Sequence, residues 1–288
     1  MHVRSELRAM LSDEQKEAGR RARELLHRSW RTLTAPSRAL PDFIVLGAQK
    51  AGSTSLHQYL RQHPQIFPSR KKEVHYFDLH LDKGTIWYRE HFPLRYSLKL
   101  RNAITGETSP YYLYHPHAAQ RIAQLLPEVK LICLLRNPVD RAISQYWHAR
   151  TLGFESLPIE KAFDAEDRRL RNEKKRLAKN PEAQSYAHRK WSYMDRGCYA
   201  DQLRRYFQYF SRDSFLILKS ENLFTETQKT YDRVTDFLGV DRYVLKTMQA
   251  SNSRSYPEPN ARLKRRLQSR FEGRNKELFE LLGREFEW

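Results

Sequence analysis

The residues best suited to do chemistry lie in FIVLGAQKAGSTSLHQYL, positions 43–60. A short apolar, β-branched run at 43–47 reads as a buried strand. The chain then turns through Gly47 and Gly52 and enters a helix whose first turn holds Ser53, Thr54 and Ser55. This order of groups suits phosphate. Glycines let the backbone approach an anion closely, the unpaired N–H groups of a first helical turn point at it, and the helix dipole favours negative charge there. Lys50 and the hydroxyls add donors. The glycine spacing is that of the nucleotide-triphosphatase pattern GxxxxGK[ST], but Ser53 follows Gly52 and the lysine comes earlier, at Lys50. That displacement speaks against a kinase or NTPase, which stays open as an alternative beside a plain strand-to-helix turn.

A second constellation is LLRNPVDRAISQYWHAR, positions 134–150. Arg136 follows a buried strand directly, so it falls at the carboxyl edge of a sheet, and Ser144 lies eight residues on in the next helix. An arginine there can fork onto a phosphate, with the serine as a further donor. The alternative is an arginine that caps the strand edge or pairs with Asp140.

The elements that must position these residues alternate. Strand signals at 43–47, 129–135 and 214–219 are separated by helical periods at 53–63, 116–126 and 140–150. Further helices are expected at 199–210 and 225–238, with an amphipathic pair around 261–282. Leu238-Gly239 reads as a helix stop. Near-continuous apolar strands alternating with helices predict an α/β fold, a central parallel sheet flanked by helices with ligands at the carboxyl ends of its strands. Residues 1–40 form a charged, helical extension in this reading, and 41–288 a single domain. Within it, 157–196 is expected to be an insertion of charged helix and loop that shapes the acceptor side, and its run DRRLRNEKKRLAKN reads as a solvated helix face, with a binding surface as the alternative.

Across 288 residues, 52 Lys and Arg stand against 34 Asp and Glu, a formal charge of +18. An anionic partner follows, but charge alone does not choose among nucleic acid, glycan, nucleotide and membrane surface. A non-catalytic polyanion binder is therefore a third reading, although no helix-turn-helix, zinc or RNA-binding pattern supports nucleic acid as partner. No apolar stretch approaches the roughly 18–20 residues of a bilayer span. With no secretory h-region at the start, a cytoplasmic protein is expected. Cys133 and Cys198 belong to no CxxC or Cys/His cluster, so neither a disulfide nor zinc is expected.

Several separated motifs, in order, resemble the sulfotransferases that use 3′-phosphoadenosine 5′-phosphosulfate (PAPS), in particular the heparan-sulfate branch and its soluble bacterial type. GAQKAGST at 47–54 is similar to the loop for the 5′-phosphosulfate, and LLRNPVDRAISQYWH to the 3′-phosphate segment. KKEVHYFD at 71–78 and DKGTIWYREHFP at 82–93 resemble the acceptor-side region. GETSPYYL, RGCYADQLRRYFQYF, SNSRSYP and NKELFELLGREFEW also have counterparts, so the likeness runs from about residue 41 to the end. It implies a P-loop-like three-layer fold. Lys50, Ala51, Gly52, Ser53, Thr54 and Ser55 would hold one end of PAPS, with Arg136, Ser144 and Arg254 at the other. Glu73 would be the general base that takes a proton from a hydroxyl or amine of the acceptor, a small molecule or more specifically a carbohydrate, with His75 as runner-up. Surface pairing with Lys71 or Lys72 is the alternative for Glu73, and packing beside Tyr76 and Phe77 the alternative for His75. Lys50 would offset charge on the leaving phosphate oxygen, and no metal is implied. Two departures stand out. Where the branch commonly reads Glu-Lys-Thr-Pro, this chain reads Glu107-Thr108-Ser109-Pro110, and of the late Lys-Gly-Arg only Arg254 remains.

Overall fold

The computed structural model describes residues 29–249, 256–257 and 259–288, together with Gln15, Glu17, Ala18, Glu24 and His27. At its centre β1 (Phe43–Gly47), β2 (Gly106–Thr108), β3 (Lys130–Leu135) and β4 (Phe215–Lys219) form a parallel sheet in the order β2-β1-β3-β4. Every residue of β1 is buried, as is β3 after Lys130. Burial on both faces is why these strands read as apolar runs. Cys133 lies fully enclosed among them.

No local pattern of residues marks β2. Gly-Glu-Thr has neither alternation nor an apolar run, and it is a strand only because β1 lies alongside, Val45 opposite Thr108. Gly106 makes that approach possible, since a Cβ there would lie 2.5 Å from the Phe43 ring.

The flanking helices are α1 (Ser53–Leu60), α2 (Tyr76–Leu79), α3 (Gly84–Arg89), α4 (Arg95–Leu100), α5 (Ala118–Leu125) and α6 (Pro138–Thr151). They continue with α7 (Ile159–Lys179), α8 (Tyr186–Lys190), α9 (Tyr199–Phe207), α10 (Asn222–Thr225), α11 (Thr227–Leu238) and α12 (Ala261–Leu282). The start of α6 is built to follow β3 closely. Asn137 Oδ1 accepts from Val139 N at 2.9 Å, and Pro138 presets the first helical residue. Gly239 ends α11 in the left-handed conformation, as the sequence predicts.

Two expectations change. The C-terminal pair is a single helix, α12, because Leu263, Leu267, Phe271 and Leu278 form one buried stripe, and Gly273 inside it costs only about 1 kcal/mol. The insertion is also better anchored than its charge suggests. Ala162, Phe163, Leu170 and Leu177 of α7 are buried. Ala162 and Phe163 join Val139, Ala142 and Tyr146 of α6, Tyr193, and Leu263, Leu267 and Phe271 of α12 in a second apolar cluster. Glu166, fully buried, fastens this layer by accepting from Met194 N at 2.8 Å and Asp195 N at 2.9 Å. The basic residues Arg168, Arg171, Lys174, Lys175, Arg176 and Lys179 stay exposed, the solvated face that was expected. Among the described residues no helix is long and apolar enough to cross a membrane.

Candidate active site

Three sequence-predicted constellations meet at the carboxyl edge of the sheet. The loop after β1 is fastened on several sides. Ala48 N donates to Leu134 O at 2.7 Å, Ser220 Oγ to Ala51 O at 2.9 Å, and Arg136 Nη1 to Lys50 O at 3.1 Å. Two buried arginines grip the residue before Lys50. Arg141 Nη1 reaches Gln49 O at 3.5 Å, and Arg196 bonds Gln49 Oε1. Lys50 (φ 71°) and Gly52 (φ 89°) both adopt left-handed backbone. At Gly52 a side chain would also meet Phe224 Cζ at 3.0 Å and Leu223 Cδ2 at 3.1 Å, so only glycine suits the entry to α1. On either side of it Thr54 is half-buried, Ser53 nearly enclosed, and Ala51 and Ser55 completely so.

Arg136 and Ser144 line one cleft of about 140 Å³ with Asp140, Ile143, Tyr256 and Lys264. Arg136 thus both braces the loop and faces this cleft, and among the described residues no ion pair joins it to Asp140. Its carbonyl accepts from Tyr199 Oη at 2.9 Å. Arg254 lies outside the described residues, two positions before Tyr256 of the cleft.

Glu73 reaches the same edge through β2. Ser69 N donates to Gly106 O at 2.8 Å and Glu73 N to Thr108 O at 2.9 Å, so the segment runs alongside the short strand. Its side chain, 38% exposed, holds Lys72 Nζ at 2.5 Å on one oxygen and His75 Nε2 at 3.4 Å on the other. The other ring nitrogen, His75 Nδ1, lies 2.8 Å from Asp78 Oδ2. The line Lys72–Glu73–His75–Asp78 therefore alternates in charge. For Glu73, partial burial pushes the pKa up, but the hydrogen bond with His75 and the Lys72 ammonium outweigh it and hold the carboxyl down at about 2. For His75, burial lowers the pKa and the two carboxylates outweigh it, raising the imidazole to about 9. Near neutral pH the first is a carboxylate and the second an imidazolium, so only Glu73 is free of a proton. Pairing of Glu73 with Lys72 is present too, whereas His75 is an ion-pair partner rather than a packed aromatic.

Several residues here were not foreseen. Asp78 carries a local signal, three positions after His75 across one helical turn. Gln49, Arg141, Arg196 and Ser220 carry none, being joined only by the fold. His57 of α1 meets Thr108 Oγ1 at 3.1 Å and ties α1 to the end of β2. Burial, with Lys72 and Arg61 nearby, pushes its imidazole down to about 4, so it is neutral.

With this geometry the chain can be set beside known proteins. Residues 40–280 match the family described as the sulfotransferase domain. Heparan sulfate glucosamine 3-O-sulfotransferase 6 of Homo sapiens is 30% identical over 276 residues, covering 87% of this chain and 74% of the relative. Membrane-associated sulfotransferase kil1 of Dictyostelium discoideum is 27% identical over 315 residues, covering 86% of this chain and 66% of the relative. Among solved structures, the sulfotransferase from Alicyclobacillus acidocaldarius superposes with a TM-score of 0.66 at 28% identity, over 86% of this chain and 98% of that one. These likenesses remove the kinase and the non-catalytic polyanion binder from contention. The chain belongs to the sulfotransferase domain family and is an enzyme of sulfuryl transfer.

Proposed function

We propose that the donor is PAPS and the acceptor a carbohydrate hydroxyl or amine. The observation that carries this reading is the meeting of the braced loop 48–52, the Arg136–Ser144 cleft and the Glu73 line at one sheet edge. A helix N-terminus behind a lysine suits one phosphate end of the donor, and an arginine with a serine in a small polar cleft suits the other. Bound there, PAPS supplies an electrophilic sulfuryl group on a phosphate leaving group. In this assignment Lys50, Gly52, Ser53 and Thr54 serve the 5′ end, and Arg136 and Ser144 the 3′-phosphate. Lys50 offsets negative charge on the leaving oxygen. Glu73 takes the acceptor proton, and Lys72 must yield one carboxylate oxygen for it to do so with full basicity. His75, already charged, orients Glu73 by holding the other oxygen. The carbohydrate acceptor is supported by the relatives named for heparan sulfate glucosamine.

The test is direct. The desulfonated product, 3′-phosphoadenosine 5′-phosphate (PAP), is expected to raise the melting temperature, and label is expected to pass from ³⁵S-PAPS to heparan sulfate. Stabilisation by ATP but not by PAP overturns the donor assignment. Arg136→Ala is expected to weaken PAP binding by roughly 10- to 100-fold, as for a lost charge-assisted pair. Unchanged affinity would defeat its role.

A further inference from the structure

Glu107 is the middle residue of β2 and is fully buried. Taking a carboxylate out of water is costly unless its oxygens are satisfied. Here three hydroxyls satisfy it. Tyr88 Oη donates to Oε1, Ser109 Oγ donates to Oε2 at 2.7 Å, and Tyr112 Oη bridges the two oxygens at 3.2 and 3.4 Å. No ion pair to Lys or Arg joins it among the described residues, and burial raises its carboxyl to about 7.

What the hydroxyls do with their remaining valence is informative. Tyr112 Oη gives its one proton to Glu107, and its oxygen accepts from Tyr76 N at 2.8 Å and Phe77 N at 3.4 Å. Tyr88 lays its ring on Tyr76, with centroids 4.4 Å apart and planes 11° apart. Ser109 Oγ lies 3.5 Å from His75 N. All three arms thus converge on the start of α2, the four-residue helix that carries Asp78 and follows Glu73 and His75. That segment needs outside support. Glu73 (φ 61°) and His75 (φ 60°) both sit in left-handed backbone, unfavourable for side chains of their kind, and one helical turn does not stand alone.

We propose that Glu107 is a positioning residue: by orienting the Tyr112 and Tyr88 hydroxyls it fixes Tyr76, and so holds Glu73, His75 and Asp78 in line. Above about pH 7, where Glu107 is ionised, its carboxylate suits this role because it only accepts. It draws every hydroxyl proton to itself and leaves the Tyr112 oxygen open to the Tyr76 N–H. Glutamine at 107 would bring an N–H₂ that competes for those oxygens. The inference deepens the reading of Glu73 as proton acceptor and rests on it for its catalytic consequence, though not for its structural one.

The experiment uses the full chain and three variants, Glu107→Gln, Tyr112→Phe and Tyr88→Phe. The last two each remove one oxygen atom and keep the ring. The His75 imidazole is followed by NMR titration, its resonance identified by its loss in His75→Asn, with Glu73, Asp78 and His80 as the titratable groups facing it. Tyr112→Phe, Tyr88→Phe and Glu107→Gln are each expected to move the His75 pKa down by about one unit or more, toward its ordinary value, as the two carboxylates lose alignment. PAP affinity by calorimetry is expected to stay within about twofold, while kcat for transfer to heparan sulfate falls at least tenfold with donor KM unchanged. If Glu107→Gln does not fold, the two phenylalanine variants decide. Folded variants whose His75 titrates as in the wild type overturn the proposal. Failure of the base assignment is a separate outcome, seen as wild-type turnover by Glu73→Gln while the His75 shifts remain.

Discussion

At the scale of single residues, the site turns on a histidine held between two carboxylates. The His75 pKa stands at about 9 in the folded chain against an ordinary 6.5, so the folded state holds an extra proton between those values. The associated stability is present in full below pH 6.5 and is lost as pH rises through 9. The denaturation midpoint of the wild type is therefore expected to exceed that of His75→Gln most near pH 6, and the gap to close by about pH 10. A gap independent of pH would show that His75 is not an imidazolium. The adjoining carboxylate has a kinetic signature instead. Glu73→Gln keeps the shape and removes the proton acceptor, so kcat is expected to fall by roughly 10²- to 10⁴-fold with PAP affinity unchanged. Retained turnover would move the base elsewhere.

At the scale of elements, the entry to α1 gives the sharpest case. Gly52→Ala adds a methyl at φ 89° that meets Phe224 at 3.0 Å, whereas Gly153→Ala adds one at φ 71° with nothing within 4 Å. Both lose about 1–2 kcal/mol to the left-handed backbone, but only Gly52→Ala is expected to add a clash and weaken PAP binding. Equal effects in thermal shift and calorimetry would mean that the Gly52 turn is no part of the nucleotide site. Such a turn is legible because its causes are local: glycines at fixed positions after an apolar run. β1 and β3 are legible for the same reason, since burial on both faces writes itself as Ile, Val and Leu, and β4, buried only at Ile217 and Leu218, still reads as a short apolar run. β2 is not, because Gly106-Glu107-Thr108 becomes a strand only through its neighbour. Glu73 and His75 could be marked from the likeness of KKEVHYFD, but their tether to Thr108 and their support from Tyr112 span 35 residues or more and leave no periodic trace. The Gln49 brace is longer still, since Arg196 stands 147 residues away.

At the scale of the whole molecule, the buried titratable groups oppose one another as acid is added. Burial pushes His57 and His91 down to about 4, His115 to about 3 and His188 to about 2, so the folded chain keeps them neutral where the unfolded chain charges them, below about 6.5. Glu107 and Glu166 act the other way. Burial raises both to about 7, so the folded chain holds protons on them that the unfolded chain releases above 4.5. His75 is protonated in both states below 6.5 and drops out of the balance. Between pH 4.5 and 6.5, four histidines against two carboxylates leave the folded state short of about two protons. Stability then rises with pH across that interval by roughly 2–3 kcal/mol per unit. The formal charge of +18 acts in the same direction, because each carboxylate titrated by acid adds to self-repulsion in the compact state. Urea midpoints taken near pH 6.5, 5.5 and 4.5 are therefore expected to fall at each step. Raising salt should recover the part that comes from exposed charge and leave the histidine part in place, because buried groups are screened little. A flat profile would require those histidines to accept protons in the folded chain, and hence to be far wetter than their enclosure implies.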